Sequence, residues 1–164
     1  MIAAGGILTA SREEVPVNLA VWVERNGTRL RDRPALAVGD GVHSTWARFA
    51  ARTAALAGGL RGELGLVPGD RVAIVMRNRP EYLEAQFAAW HAGLVAVPVN
   101  ARLHRDEIAY ILDHSGASAV VTDDEHADDV VPLVDEVDSL AAALLAPGPD
   151  WERLAACTPI RVAD

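Results

Sequence analysis

Val72-Ala73-Ile74-Val75-Met76 most constrains what this chain can fold into. Five apolar residues stand in a row with no polar alternation, which marks a strand buried on both faces, and such strands belong to parallel sheets covered by helices. The neighbouring residues carry matching punctuation. Pro68-Gly69 turns the chain into the strand, and after it Asn78 is placed to cap a helix with Pro80 in its first turn. Leu83, Phe87 and Trp90 recur at helical spacing, and Gly93 ends that helix where a left-handed residue costs little. Residues 94–99 form a second buried strand, in which Pro98 implies an edge position, a bulge or the strand's end. Asp106 and Glu107 favour the start of another helix, Ile108, Ile111 and Leu112 give its apolar face, and Ser115-Gly116 ends it before a third strand at residues 119–121. Residues 67–123 therefore read strand, helix, strand, helix, strand, an α/β fold with a mostly parallel sheet and flanking helices.

The flanking segments attach to this layer. Residues 18–24 predict a short helix stopped by Asn26-Gly27, and Gly39-Asp40-Gly41 between residues 35–38 and 42–44 predicts a β-hairpin. Thr45 then caps a helix whose buried stripe is Trp46, Phe49, Thr53, Leu56, Ala57 and Leu60, with Gly58-Gly59 weakening its end. Beyond Val130 the pattern loosens. Residues 140–145 are helix-compatible, Pro147-Gly148-Pro149-Asp150 has linker composition, and residues 151–156 suit one more helical turn. The expected division is an N-terminal arm at 1–17, an α/β subdomain at 18–146 and a linker at 147–164.

A length of 164 residues is enough for one domain with a real core. The formal net charge of -8 argues against nucleic acid or an anionic membrane as partner. Met1 to Leu8 carry no Lys or Arg before their apolar part, so no secretory signal is expected, and no apolar run approaches the roughly 20 residues of a membrane span. The single Cys157 reads as a spectator thiol and fits a reducing, cytoplasmic location.

No Gly-x-Gly-x-x-Gly fingerprint, phosphate-loop lysine motif, Gly-x-Ser-x-Gly elbow or zinc spacing occurs. There is no lysine in the chain at all; every basic residue is Arg. The run Asp-Asp-Glu-His-Ala-Asp-Asp from Asp123 to Asp129 offers carboxylates and an imidazole, and it reads as an acidic helix N-terminus in preference to a metal site. One loop stands out. Asn100-Ala101-Arg102-Leu103 follows the second strand, and ligands of open α/β sheets bind at the carboxyl ends of strands.

Thr45-Trp46-Ala47-Arg48-Phe49 after a hairpin, Pro68-Gly69-Asp70-Arg71-Val72-Ala73, Asn78 with Pro80-Glu81, Val97-Pro98-Val99-Asn100-Ala101-Arg102-Leu103, and Glu107 with Tyr110-Ile111-Leu112 follow one another in a set order. Together they resemble the N-terminal portion of the AMP-forming adenylating enzymes, the superfamily of acyl-CoA synthetases, peptide-synthetase adenylation domains and luciferases. Asn100 followed by Ala101-Arg102-Leu103 is similar to fatty-acyl or aryl acid CoA ligases. The resemblance implies the N-terminal subdomain of the acyl-CoA synthetase fold. It also implies a parent enzyme that uses ATP, Mg²⁺ and CoA to activate a carboxylic acid, with a fatty acid expected, as its adenylate and pass it to CoA.

The family's Thr/Ser/Gly-rich phosphate loop, Tyr-Gly-x-Thr-Glu segment, ribose-binding aspartate and adenylation lysine have no counterpart here. No catalytic residue or metal ligand is therefore assigned within these residues, the chain alone is expected to be inactive, and its partner is expected to be the remainder of the ligase. A non-catalytic module that dimerises or binds a partner is the alternative. Arg102 stands where the resemblance places a contact to a phosphate of the CoA nucleotide; bracing of the loop, or simple solvation, is the competing role.

Overall fold

A computed structural model describes residues 18–163. The chain begins with α1 (Ala20–Arg29), the strands β1 (Pro34–Val38) and β2 (Gly41–Thr45), and α2 (Trp46–Gly62). The layer follows as β3 (Arg71–Val75), α3 (Pro80–His91), β4 (Val95–Pro98), α4 (Arg105–Ser115) and β5 (Ala117–Thr122). A short α5 (Ala127–Val130), a 3₁₀ turn at Val131–Asp135, β6 (Ala142–Leu145) and α6 (Pro149–Leu154) complete it. The expected arm at 1–17, with the leader reading of its first residues, lies outside the described residues.

The sheet is parallel throughout, in the order β4-β3-β5-β6. Val72, Ala73, Ile74 and Val75 are fully buried because the sheet is covered on both faces. Val72 and Ile74 face Leu56, Leu60, Ala88, Trp151 and Leu154 from α2, α3 and α6. Ala73 and Val75 face Ile108, Leu112, Val130 and Leu133 on the opposite side. Pro98 sits on the edge strand β4, where its missing N–H costs no ladder bond. Among the described residues no helix is long and apolar enough to cross a membrane.

Several expectations about elements are corrected. Gly27 does not stop α1; the helix runs on to Arg29, and a Cβ on Gly27 would lie 2.5 Å from the Cβ of Ala50, so the glycine lets α1 cross α2 closely. Gly58 and Gly59 are interior to α2, where Leu154 of α6 and the carbonyl of Thr158 press against them. The face that α3 buries is Glu84, Ala85, Ala88 and Ala89, whereas Leu83 is exposed and Phe87 and Trp90 are half-buried. Phe87 stands edge-on to Phe49 at 5.7 Å and to Trp90 at 5.0 Å, filling the space between α1, α2 and the hairpin. Residues 142–145 form a strand because Val120 and Val121 offer Ala143 and Leu144 parallel partners, a tertiary pairing that overrides local helix propensity.

The proline-rich stretch at 147–150 is no free linker. Pro149 opens α6 at its first turn, where a missing N–H is harmless, and Trp151 is fully buried. Trp151 Nε1 donates to Glu84 Oε2 at 3.2 Å, and Arg52 grips the same carboxylate through Nε at 2.7 Å and Nη2 at 3.0 Å. Glu152 completes the network with 2.9 Å contacts to both terminal nitrogens of Arg52. Bonds to Glu152 and Glu84 hold the Arg52 guanidinium above its ordinary pKa despite the opposing effect of burial. The chain then crosses α2 and α3: Ile160 N–H donates to Ala54 O, His91 Nε2 to Ile160 O at 2.8 Å, and Ala163 N–H to His91 O at 2.8 Å.

Candidate functional site

Because β3, β4 and β5 run parallel, their carboxyl ends share one edge, and three loops leave it side by side. The first carries Met76, Arg77 and Asn78, the second Val99, Asn100, Ala101 and Arg102, and the third Asp123 to His126. A cleft of about 720 Å³ lies between them, floored by Pro98 and Val99 and walled by Tyr82 at the start of α3.

Each loop is fixed by local hydrogen bonds. Val99 N–H donates to Ile74 O at 3.0 Å, extending the ladder to the cleft floor. Asn100 folds its own loop: its Oδ1 accepts from Arg102 N–H at 3.1 Å, and its carbonyl accepts from Leu103 N–H at 3.2 Å. His104 and Glu107 then form a capping box, Glu107 Oε2 accepting from His104 N–H at 2.9 Å, which anchors the far side of the loop to α4.

Asp123 ties the other two loops together. Its carboxylate is almost fully buried, accepts from Arg77 N–H at 2.9 Å and from His126 N–H at 3.2 Å, and lies 2.5 Å from His126 Nδ1. Burial pushes its pKa up, but the bonds from the His126 ring and the Arg77 amide prevail and hold it below the usual carboxylate range. The acidic run is thus divided. Asp123 turns inward as a brace, Asp128 and Asp129 sit in the first turn of α5, and Asp124 and Glu125 pair with Arg79 and Arg77. Among the described residues no group of three His, Cys, Asp or Glu side chains is placed to hold a metal ion.

The cleft's electrostatic character contrasts with the chain's. Arg77, Arg102 and His126 line it with Asn78 and Asn100, and no carboxylate is among the lining residues, although Glu125 pairs with Arg77, Asp123 with His126, and the whole chain carries -8. Its chemistry is that of an anion acceptor with amide donors. Arg102 therefore lies in the cleft, on the loop expected to face a ligand.

Arg77, Tyr82, His126 and the cleft-lining role of Asn78 are not legible as a site in the sequence. The expected cap of α3 by Asn78 is corrected, since Arg79 occupies the cap position, without a side-chain cap bond. The rule that singles out the β4 loop applies equally to the loops after β3 and β5. That signal is present in the sequence, but only the strand order brings the three loops together. A second cavity, of about 560 Å³, opens between the hairpin and α3 and shares Asn78 and Tyr82 with the first.

The sequence profile of a family described as "AMP-binding enzyme" matches residues 23–158. The chain belongs to that family. Among relatives of this AMP-binding family chain, feruloyl-CoA synthase from Amycolatopsis is 46% identical over 93 residues, covering 57% of this chain and 19% of the relative. A long-chain-fatty-acid–CoA ligase from Escherichia coli is 36% identical over 119 residues, covering 73% and 21%. The crystal structure of a Rhodopseudomonas palustris protein described as a "putative long-chain-fatty-acid CoA ligase" superposes with a TM-score of 0.79 at 34% identity, over 90% of this chain and 38% of that one. The AMP-binding family chain thus spans about a fifth of the length of these two curated relatives. Its α/β architecture is that of the N-terminal part of acyl-CoA synthetases.

Proposed function

We propose that this chain is the N-terminal portion of an ATP-dependent acid–thiol ligase, which activates a carboxylic acid as its acyl-adenylate and transfers the acyl group to CoA. The observation that carries the reading is the family match over residues 23–158 combined with a cationic cleft on the sheet edge where α/β folds bind ligands. Fatty acids are the substrate class proposed first, supported by the long-chain relative; the higher identity to feruloyl-CoA synthase makes aryl acids the competing class.

The residues present fit one part of the CoA molecule. The Arg102 guanidinium suits a nucleotide phosphate, because its planar donors match phosphate oxygens in pairs. The loop that carries it is held in shape by Asn100 and the capping box, so the side chain starts from a fixed base. ATP and Mg²⁺ are assigned to the remainder of the ligase. ATP there would supply the adenylyl group that activates the acid, with pyrophosphate as the leaving group, and the chain alone is proposed not to form an acyl-adenylate. In the absence of charge neutralisation at the α-phosphate, the main contribution to catalysis is missing.

The test is acyl-CoA formation with ATP, Mg²⁺, CoA and a panel of fatty and aryl acids. It is run on this chain and on this chain joined to the remaining residues of the long-chain-fatty-acid–CoA ligase relative. No product from the chain and product from the longer protein are expected; turnover by the chain alone would refute the proposed inactivity, and none by either protein would refute the ligase reading. One observation favours a second reading, a dimerising or partner-binding module. Val38 and Val42 on the hairpin and Trp22 on α1 are 61%, 58% and 58% exposed. A strictly monomeric species by light scattering at high concentration would dispose of the dimer.

A further inference from the structure

Arg77 occupies the wall of the cleft from the β3 loop, while Arg102 occupies it from the β4 loop. The two differ in one respect. Arg77 Nε is paired with Glu125 Oε2 at 2.6 Å, and both side chains are largely in water, 69% and 49% exposed. A pair that open to solvent is weak and exchanges readily. The Arg77 backbone, by contrast, is held in place, since its N–H is bonded to the buried Asp123 and its loop continues a central strand. Here a guanidinium on a fixed base lines the cleft, and among the described residues its recorded ion pair is with Glu125, which is not itself a lining residue.

We infer that Arg77 is a second anion contact of this cleft and that Glu125 is its built-in competitor, displaced when a phosphoryl group binds. The inference rests on the reading of Arg102 as a phosphate contact and extends it to a two-guanidinium site, with Asn78 and Asn100 as neutral donors beside it. A phosphoryl dianion displaces a carboxylate from a guanidinium because it offers more charge and a third acceptor oxygen. His126 lies on the same wall, with Nδ1 directed at Asp123. Arg77 contacts Asp123 through its N–H and Glu125 through its guanidinium, and it shares the cleft lining with Arg102 and His126; Arg79 pairs with Asp123 and Asp124 beside them. The same phosphoryl chemistry is offered by the CoA nucleotide and by free pyrophosphate.

Calorimetric titration of the chain with CoA, dephospho-CoA and pyrophosphate distinguishes the sources and tests the residues. Arg77→Ala is expected to weaken binding of whichever phosphoryl ligand occupies the cleft by about tenfold, the order of one charge-assisted contact. Glu125→Gln is expected to tighten it about 2- to 5-fold, the range set by an exposed ion pair. Arg102→Ala tests the earlier reading by itself. Glu125→Gln without effect, or Arg77→Ala without loss, overturns the competitor role while a loss in Arg102→Ala leaves the Arg102 reading standing. Effects at Arg77 and Glu125 with none at Arg102 overturn the Arg102 reading and, with it, the two-guanidinium site. No binding of any ligand to the native chain overturns both. Far-ultraviolet circular dichroism on each variant confirms that the fold is retained.

Discussion

At the scale of single residues, two buried carboxylates carry different kinds of work. Glu84 is 1% exposed and holds Arg52 and Trp151, so removing it leaves a guanidinium and an indole N–H without their shared partner. Glu84→Ala is expected to lower unfolding free energy by about 3 kcal/mol, the lower end for breaking a buried ion pair, since Arg52 keeps Glu152; urea denaturation measures it. Asp123 is a pH-linked brace. Its folded pKa is depressed, so its contribution to stability is present above the carboxylate's ordinary value of about 3.9 and is lost as pH falls through the lower folded value. Asp123→Asn is therefore expected to show a shallower loss of stability than the native chain as pH falls below the ordinary carboxylate value of about 3.9, in thermal melts. An equally steep loss in both would remove Asp123 as a source of acid sensitivity.

At the scale of elements, the glycines of α2 give the sharpest contrast between local and tertiary rules. Helix propensity alone predicts that Gly58→Ala stabilises α2 by about 1 kcal/mol. The carbonyl of Thr158 occupies the place where the new methyl would go, so the structure predicts destabilisation by about 1–3 kcal/mol, as for overpacked cores. A raised melting temperature for Gly58→Ala would show that the segment after α6 does not rest there. The same contrast explains what the sequence disclosed. The unbroken apolar run at Val72, the Gly93 and Gly116 stops and the Thr45 cap are local signals, and each is found in place. β6, the continuation of α1 through Gly27 and the docking of α6 all depend on a partner distant in the chain, and no local pattern records such a partner. The site follows the same division: Arg102 stands out in the sequence because the family resemblance marks its position in the loop after β4, while Arg77 and His126 need the strand order to bring them beside it.

At the scale of the whole molecule, the two faces of the parallel sheet are covered by helices, and the cleft lies at the carboxyl ends of its strands. Two of the cavities among the described residues lie at those strand ends and beside the hairpin. The first is proposed to meet the nucleotide of CoA and the second, with Val38 and Val42, to meet protein. Substituting Val38→Asp and Val42→Asp is expected to suppress any self-association seen by light scattering without changing CoA affinity. The most direct test of the central claim is amide mapping by ¹H–¹⁵N nuclear magnetic resonance during titration with CoA. Shifts concentrated at residues 76–78, 99–102 and 126 are predicted; shifts confined to the hairpin groove, or none at saturating CoA, would contradict the assignment of the cleft.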